Sequence, residues 1–391
     1  MKIDQQHFIK TVRYDIQFND KESAHQLQNS ISRFHTSKVN TLLNTILNTY
    51  SEEEVLHNFD TVELNLGNID PSNYEQEIFD RIEEVLTAFL TENNAEKTET
   101  HDSKIAQLEY FLLYGHFPWN TVNSETPDLL LKNIILTNSN ALRGLLIKFS
   151  KNQTVHKRLV SQFSKETFEK MVKQIGGETG NAIVEENNKK GIIGSNSKIL
   201  SNLFKHLTSS NIIEDEPSNN LEQTQNQLYI TSAGLIIMAP YLGMLFDKCD
   251  LLIDGVFKNK NSQFKAIQLL NYSATSNEFS GEHELAIHKI LCGLELTEPV
   301  ENLSVITENE RAVCDSLLAA ITEHWTPLNN TSIDGLRTTF LQRDGRLEEN
   351  EDAFFLQVEQ KSWDMLLDQI PWNITKIKLS WMPKTLDVQW R

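Results

Sequence analysis

Cysteine is scarce in this chain. Cys249, Cys292 and Cys314 are the three among 391 residues, scattered and without CxxC spacing. An odd set of that kind excludes a disulfide framework and supplies no zinc-ligand pattern, so the three read as reduced, buried thiols. Long apolar runs are missing as well. The longest, Ala233–Phe246, has fourteen residues and contains Pro240. That is short of the roughly 20 residues a membrane-crossing helix needs, so it reads as core and no stable membrane span is expected. The opening MKIDQQHFIKTVRYD lacks the uninterrupted apolar stretch of a secretory leader, which makes a cytoplasmic location the expectation. Clusters of Lys and Arg are absent too. Nucleic-acid binding needs such clusters to displace counterions from phosphates, so no nucleic-acid partner is expected.

What is present is acid. The net charge is −18, and its distribution is uneven: residues 1–92 and residues 227–391 each carry nine more acidic than basic side chains, while residues 93–226 are neutral. Acidic ends keep a chain soluble or steer it toward basic surfaces. With 39% hydrophobic and 23% charged residues, the composition is that of a folded, water-compatible chain. Its length calls for two or three separate cores.

Periodicity divides the chain. Val12, Tyr14, Ile16 and Phe18 alternate with polar residues, and Val62, Leu64 and Leu66 repeat the alternation before Gly67, the two-residue period of half-buried strands. Helical spacing runs between them from about Ser23 to Thr49, and again from Tyr74 to Leu90. Residues 1–92 are therefore expected to form a small βαβα domain. The polar stretch 93–103 reads as a linker. Residues 104–176 read as a helical module. Its first helix carries Ile105, Leu108, Phe111 and Leu112 and stops at Gly115, a residue suited to the left-handed C-terminal cap. Two more helices follow, around Leu142–Phe149 and Phe168–Ile175. Residues 177–226, rich in Gly, Asn, Ser and Glu, are expected to be a flexible linker with one short helix at about Lys198–Leu207. Residues 227–391 read as a helix-rich domain with a few short strands. Helices are expected at about Gly234–Lys248, Phe264–Ala274, Glu282–Cys292, Glu308–Trp325 and Lys361–Ile370, and strands at Phe354–Val358 and Thr375–Leu379. Thr307 and Glu310 have capping-box spacing. The fold class is α+β, predominantly α-helical.

Motifs of chemistry are few. His283, Glu284 and His288 form HELAIH, but histidines five apart on a helix point about 140° away from each other, so the HExxH zinc geometry fails. The glycines of GGETG (Gly176–Gly180) and GIIGSNSK (Gly191–Lys198) lack the GK[ST] ending of a phosphate loop and read as linker glycines. No G-x-S-x-G turn occurs. No catalytic residue, cofactor or metal is expected. Among the tryptophans, Trp325, Trp363, Trp372, Trp381 and Trp390 lie in or beside aliphatic segments and suit core packing, with one or two free to anchor a partner. Pro118 and Trp119 follow a helix stop beside a turn. The candidate interface residues are Pro118, Trp119, Trp372 and Trp381.

Several strings, in order, carry a resemblance. They are RYDIQF (Arg13–Phe18), VELNLG (Val62–Gly67), YFLLYGHFPW (Tyr110–Trp119), LVSQFSKETFEKMV (Leu159–Val172), AGLIIMAPYLGMLF (Ala233–Phe246), HKILCGLELTEPV (His288–Val300), His324–Leu347 and Leu366–Met382. Together they resemble the tape measure proteins of phage-tail-like contractile injection systems. The resemblance implies a non-enzymatic structural and assembly protein that sits inside the growing tube, in several copies, and sets or initiates its length. The implied partners are inner tube and baseplate or tube-initiator proteins. It implies assembly in the cytoplasm and a final place inside the particle's tube. A fully helical chain of this size spans at most roughly 590 Å, and its neutral middle about 200 Å. A short particle, or a role in initiation more than in measurement, follows from that reach. Two other classes are open at this point: a soluble adaptor or chaperone for tube or cargo proteins that is absent from the finished particle, and a cell-wall hydrolase working through His283 or His288.

Overall fold

A computed structural model describes residues 7, 9, 12–17, 30–50, 55–59, 61–70, 72–92, 96–118, 121, 125–190, 195–209, 227–301 and 304–390. The chain separates into two compact units, one made of residues 1–104 with 122–124 and the other of 105–121 with 125–391.

In the first unit, α1 (Asn40–Tyr50) follows a π-helical turn at His35–Val39 and packs against α2 (Tyr74–Glu92). Phe34 and Val39, at the π-helical turn, and Leu42 and Ile46 on α1 cluster with Ile78, Ile82, Leu86 and Leu90 of α2. Fully burying side chains of this kind contributes about 1.5–3 kcal/mol each. An antiparallel pair, β1 (Val55–Asn58) with β2 (Glu96–Glu99), joins them. The two strands expected from alternation are not strands. Residues 12–17 and 61–70 lack ladder pairing, and Phe18 lies outside the described residues. Leu64, Leu66 and Ile69 nevertheless rest on the helical core, and Arg81 holds the Leu66 carbonyl. At 61–70 the alternation thus marks a partly buried segment, whereas at 12–17 Val12 and Ile16 are exposed and Tyr14 alone is partly buried. A strand needs a neighbouring backbone in addition, and that is not encoded in the alternation itself.

The second unit holds two hydrophobic cores. One belongs to α3 (Thr100–Tyr114) from Ile105 onward, α4 (Pro127–Thr137), α5 (Ser139–Lys148), α6 (Gln153–Ser161), α7 (Lys165–Lys190) and α8 (Ser195–Ser209). Side chains set most of the helix starts. Thr126 accepts from Leu129 N with Pro127 in the first turn, Asn138 from Ala141 N, and Asn152 from Val155 N. Asp128 ties two helix starts together by accepting from Ser164 N and Thr167 Oγ1. Two of these helices, α4 and α6, were not anticipated from the sequence. The stretch expected to be a linker also differs in its described part: α7 runs past the glycine pair to Lys190, while α8 falls where the one short helix is expected, near Lys198–Leu207. Val184, Ile199, Leu200, Leu203, Phe204 and Leu207 are buried in the same core as Phe111. Few apolar residues suffice there, because each falls on a face already covered by α5 and α6.

The other core is α+β. A mixed five-stranded sheet runs in the order β3 (Gln227–Ile230), β6 (Gly345–Glu349), β7 (Ala353–Val358), β9 (Thr385–Gln389), β8 (Lys376–Ile377), with only β7 and β9 parallel. A small hairpin, β4 (Leu252–Ile253) and β5 (Val256–Phe257), turns at Asp254–Gly255, both left-handed. The apolar run Ala233–Phe246 is a 3-10 helix through Tyr241, followed by α9 (Leu242–Lys248). Ala233–Ala239 are all buried. Around them pack α10 (Lys260–Thr275), α11 (Ala286–Leu291), α12 (Glu308–His324) and α13 (Ile333–Leu336). The capping box of Thr307 and Glu310 opens α12 as its spacing predicts. No described helix is long and apolar enough to cross a membrane.

Candidate functional site

The expected interface residues separate into different surroundings. Trp119 lies outside the described residues. Pro118 is partly buried, and its carbonyl accepts from Thr121 N and Oγ1. Trp372 donates from Nε1 to Ile237 O at 3.1 Å and meets the Tyr241 ring edge-on. Trp381 donates to Leu291 O at 2.9 Å and lies against Phe246 and Phe257. Both indole N–H groups are thus used internally, with the rings partly buried against the α+β core. Gly293, at φ 71, makes room for Trp381: a Cβ there would lie 2.3 Å from the Trp381 carbonyl oxygen. Of the remaining three, Trp325 and Trp390 are buried and Trp363 is exposed.

The site that joins the two cores was not anticipated. It begins with the helix stop in FLLYGHFPW. Gly115 takes φ 81 and closes α3 with a bond from its N to Phe111 O. On α6, Val155, Arg158 and Leu159 share the buried face, so a guanidinium is carried into the interior among aliphatic neighbours. Every N–H of Arg158 finds oxygen. Nε reaches both carboxylate oxygens of Glu282 at 3.2 Å, and Nη2 reaches Glu282 Oε1 at 3.0 Å and Thr297 O. Nη1 donates to Leu112 O at 2.9 Å and Leu113 O at 2.7 Å, carbonyls of the last turn of α3. A cation at that end of a helix also meets the negative end of its dipole.

Glu282 sits in a 3-10 turn before α11 and is shared. Lys289 Nζ donates to Glu282 Oε1 at 2.6 Å and to Leu296 O at 2.7 Å. Arg158, Glu282 and Lys289 are all essentially inaccessible to water. Two cations against one carboxylate leave an excess positive charge, which the carbonyls of Leu112, Leu113, Leu296 and Thr297 accommodate. Desolvation lowers the Lys289 pKa, and the adjacent Glu282 carboxylate opposes that shift. Gly115 completes the arrangement: a Cβ at that position would lie 2.2 Å from Glu282 Oε1 and 2.8 Å from Arg158 Nη2. Gln162 adds bonds on the same seam, accepting from Glu282 N and donating to Val300 O at 2.8 Å. Nearby, burial and the two cations push the His116 pKa down to about 4.

The histidines of HELAIH lie in different surroundings. His288 is buried on α11, its two ring nitrogens lack partners, and burial lowers its pKa to about 3. His283 packs edge-on against Phe117. Among the described residues, no group of three His, Cys, Asp or Glu side chains is placed to hold a metal ion. The thiols are held protonated by burial, Cys249 with a pKa raised to about 11 and Cys314 to about 12.

The signal for the seam was in the sequence as charge on apolar faces. Arg158 falls between Val155 and Leu159, and Lys289 interrupts Ala286, Ile287, Ile290 and Leu291. A charge in such a place is paired when buried. The partner of Arg158, Glu282, lies 124 residues away and is not readable from spacing.

A buried cluster of ion pairs thus joins the two cores of the second unit. The family sequence model described as contractile injection system tape measure protein matches residues 6–211 and, in a second match, residues 184–390. Comparisons with curated proteins and with solved structures gave no match. Matched from residue 6 to residue 390, this chain belongs to the contractile injection system tape measure protein family.

Proposed function

We propose that this chain is an assembly protein of a contractile injection particle, setting or initiating the length of the inner tube from within it. The match to the family on both halves of the chain is the observation that carries this reading. The packed helices support a particular form of it. Since α7 and α8 are part of a hydrophobic core, the work falls on folded surfaces that engage tube and baseplate or initiator proteins, more than on a stretched middle. Pro118, Trp119, Trp372 and Trp381 remain the proposed contact residues, the last two through the ring surface left outside their internal hydrogen bonds.

The test is made on particles. Deleting the coding sequence is expected to abolish tubes of defined length in electron micrographs. Helical heptads inserted between Ser209 and Gln227 separate measurement from initiation: a measuring chain lengthens the tube by about 1.5 Å per inserted residue, and an initiating chain leaves it unchanged. Normal particles in the deletion strain overturn the reading. Absence of the chain from purified particles by mass spectrometry assigns it instead to an adaptor or chaperone role.

A further inference from the structure

α7 folds back on itself about one glycine. Residues 165–176 and 178–190 are both helical, and Gly177 between them sits at φ 57, ψ −133, a conformation open to glycine and strained for any residue with a Cβ. Contacts show how sharp the reversal is. Asn188 Nδ2 donates to Glu169 Oε1 at 3.4 Å, whereas an unbroken helix sets residues 19 apart roughly 28 Å from each other. A Cβ at Gly180 would lie 2.2 Å from the Val172 carbonyl oxygen, and one at Gly176 would lie 3.1 Å from Leu203 Cδ1. At Gly177 itself, a Cβ meets nothing within 4 Å. The bend is therefore held by what the two limbs touch, while the hinge contributes only its dihedral freedom.

We propose that residues 178–190 together with α8 form an exchangeable arm, and that the partner it fits is a second copy of this chain. Turning Gly177 alone into the helical region converts residues 165–190 into one rod and carries the arm away from its own module. The arm cannot stand free in water, because it bears Val184, Ile199, Leu200, Leu203, Phe204 and Leu207, all buried. The one surface certain to match those side chains is the same groove on another molecule. Reciprocal exchange rebuilds each contact across the pair, including the His156 ring stacked on Phe204 at 4.5 Å, and replaces a glycine-only bend by helix. That is the thermodynamic basis of domain swapping, in which identical elements change owner at little net cost. The proposal does not depend on the tube-assembly reading.

The experiment uses full chains carrying one new cysteine each, Glu169→Cys on one and Asn188→Cys on the other, distinguishable by a mass tag. Co-refolding them at high concentration and oxidising is expected to give a mixed disulfide in a species of doubled mass. Mixing them already folded is expected to give far less. The double variant in one chain, E169C/N188C, is the control that the two positions meet in the monomer. Gly177→Ala, which penalises the bend and favours helix, is expected to raise the dimer share about tenfold or more, with Gly144→Ala, a helical glycine with open space around it, unchanged. Co-refolded chains that stay monomeric without a mixed disulfide, while the double variant cross-links internally, overturn the proposal. The cysteine pair keeps the native Gly177 and decides the matter even where Gly177→Ala fails to fold.

Discussion

Arg158 and Arg343 are both buried guanidinium groups bound to a carboxylate, and they are stabilised by different means. Arg158 meets Glu282 across 124 residues of sequence, shares it with Lys289, and is otherwise surrounded by main-chain carbonyls from α3 and the Thr297 loop. Arg343 meets Asp364 only 21 residues away, inside the α+β core. It lies 5.5–6.0 Å from the ring centroids of Phe340, Trp363 and Trp390, and Asp364 also accepts from Trp390 Nε1 and Lys361 N. Aromatic faces, a local pair and the nearby carbonyls of Thr339 and Glu359 reinforce one sub-fold. Carbonyls and a distant pair determine which surface of the helical module meets which surface of the α+β core. Buried ion pairs contribute little net stability over apolar packing, yet removing one partner is costly, so the Arg158 cluster acts chiefly as a device of register.

The contrast can be broken most forcefully at Glu282. Glu282→Ala leaves two buried cations without their carboxylate and is expected to cost about 4–5 kcal/mol in urea unfolding, whereas Asp364→Ala, which strands one cation among aromatic rings, is expected to cost about 3. Equal losses would mean that the second cation is irrelevant. Gly115→Ala comes next. Its Cβ collides with Glu282 and its φ of 81 is unfavourable for alanine, so about 2–3 kcal/mol is expected, with amide exchange accelerating at the seam before it does in the sheet.

A pH effect sharpens the same comparison. His288 is neutral in the fold with a pKa of about 3, below its ordinary value near 6.5. The unfolded chain therefore binds the proton first, and stability falls as pH drops from about 6.5 toward 3, by about 1 kcal/mol per pH unit for this group. Stability measured by urea titration at pH 7 and pH 5 is expected to diverge by about 2 kcal/mol less in His288→Leu than in the parent chain. The smallest effect is reserved for the rim of the seam. Lys157 and Glu301, 2.8 Å apart and partly exposed, are expected to change stability by about 0.5 kcal/mol or less in Lys157→Ala.

Legibility in the sequence followed locality. The apolar stripe of α2, the glycine stop after α3, the capping box of α12 and the burial of Ala233–Ala239 depend on neighbours within a turn or two, and all were readable. The sheet was readable only in part. Phe354–Val358 and a fragment of Thr375–Leu379 showed their pattern, but β3, β6 and β9 are short and are defined by partners elsewhere in the chain. At the seam, Gly115 was read for its backbone conformation, and its closeness to Glu282 was not, since no periodicity relates residue 115 to residue 282. Composition does not disclose the packing of residues 178–190, because it averages over a segment, whereas burial there depends on Val184, with Ile183 packed partly against the same core.

The pairing of β3 with β6 has a consequence for synthesis. Ile230 has no strand partner until Gly345 has left the ribosome, and the Ala233 amide, at the head of the oiliest stretch of the chain, waits for the Arg343 carbonyl. At about 5–20 residues per second, that interval lasts on the order of 10 s. Throughout it, the apolar side chains of the helical bundle are already made, with Arg158 waiting for Glu282, while Leu235, Ile236, Ile237 and Met238 must be shielded by the nascent chain itself or by a chaperone.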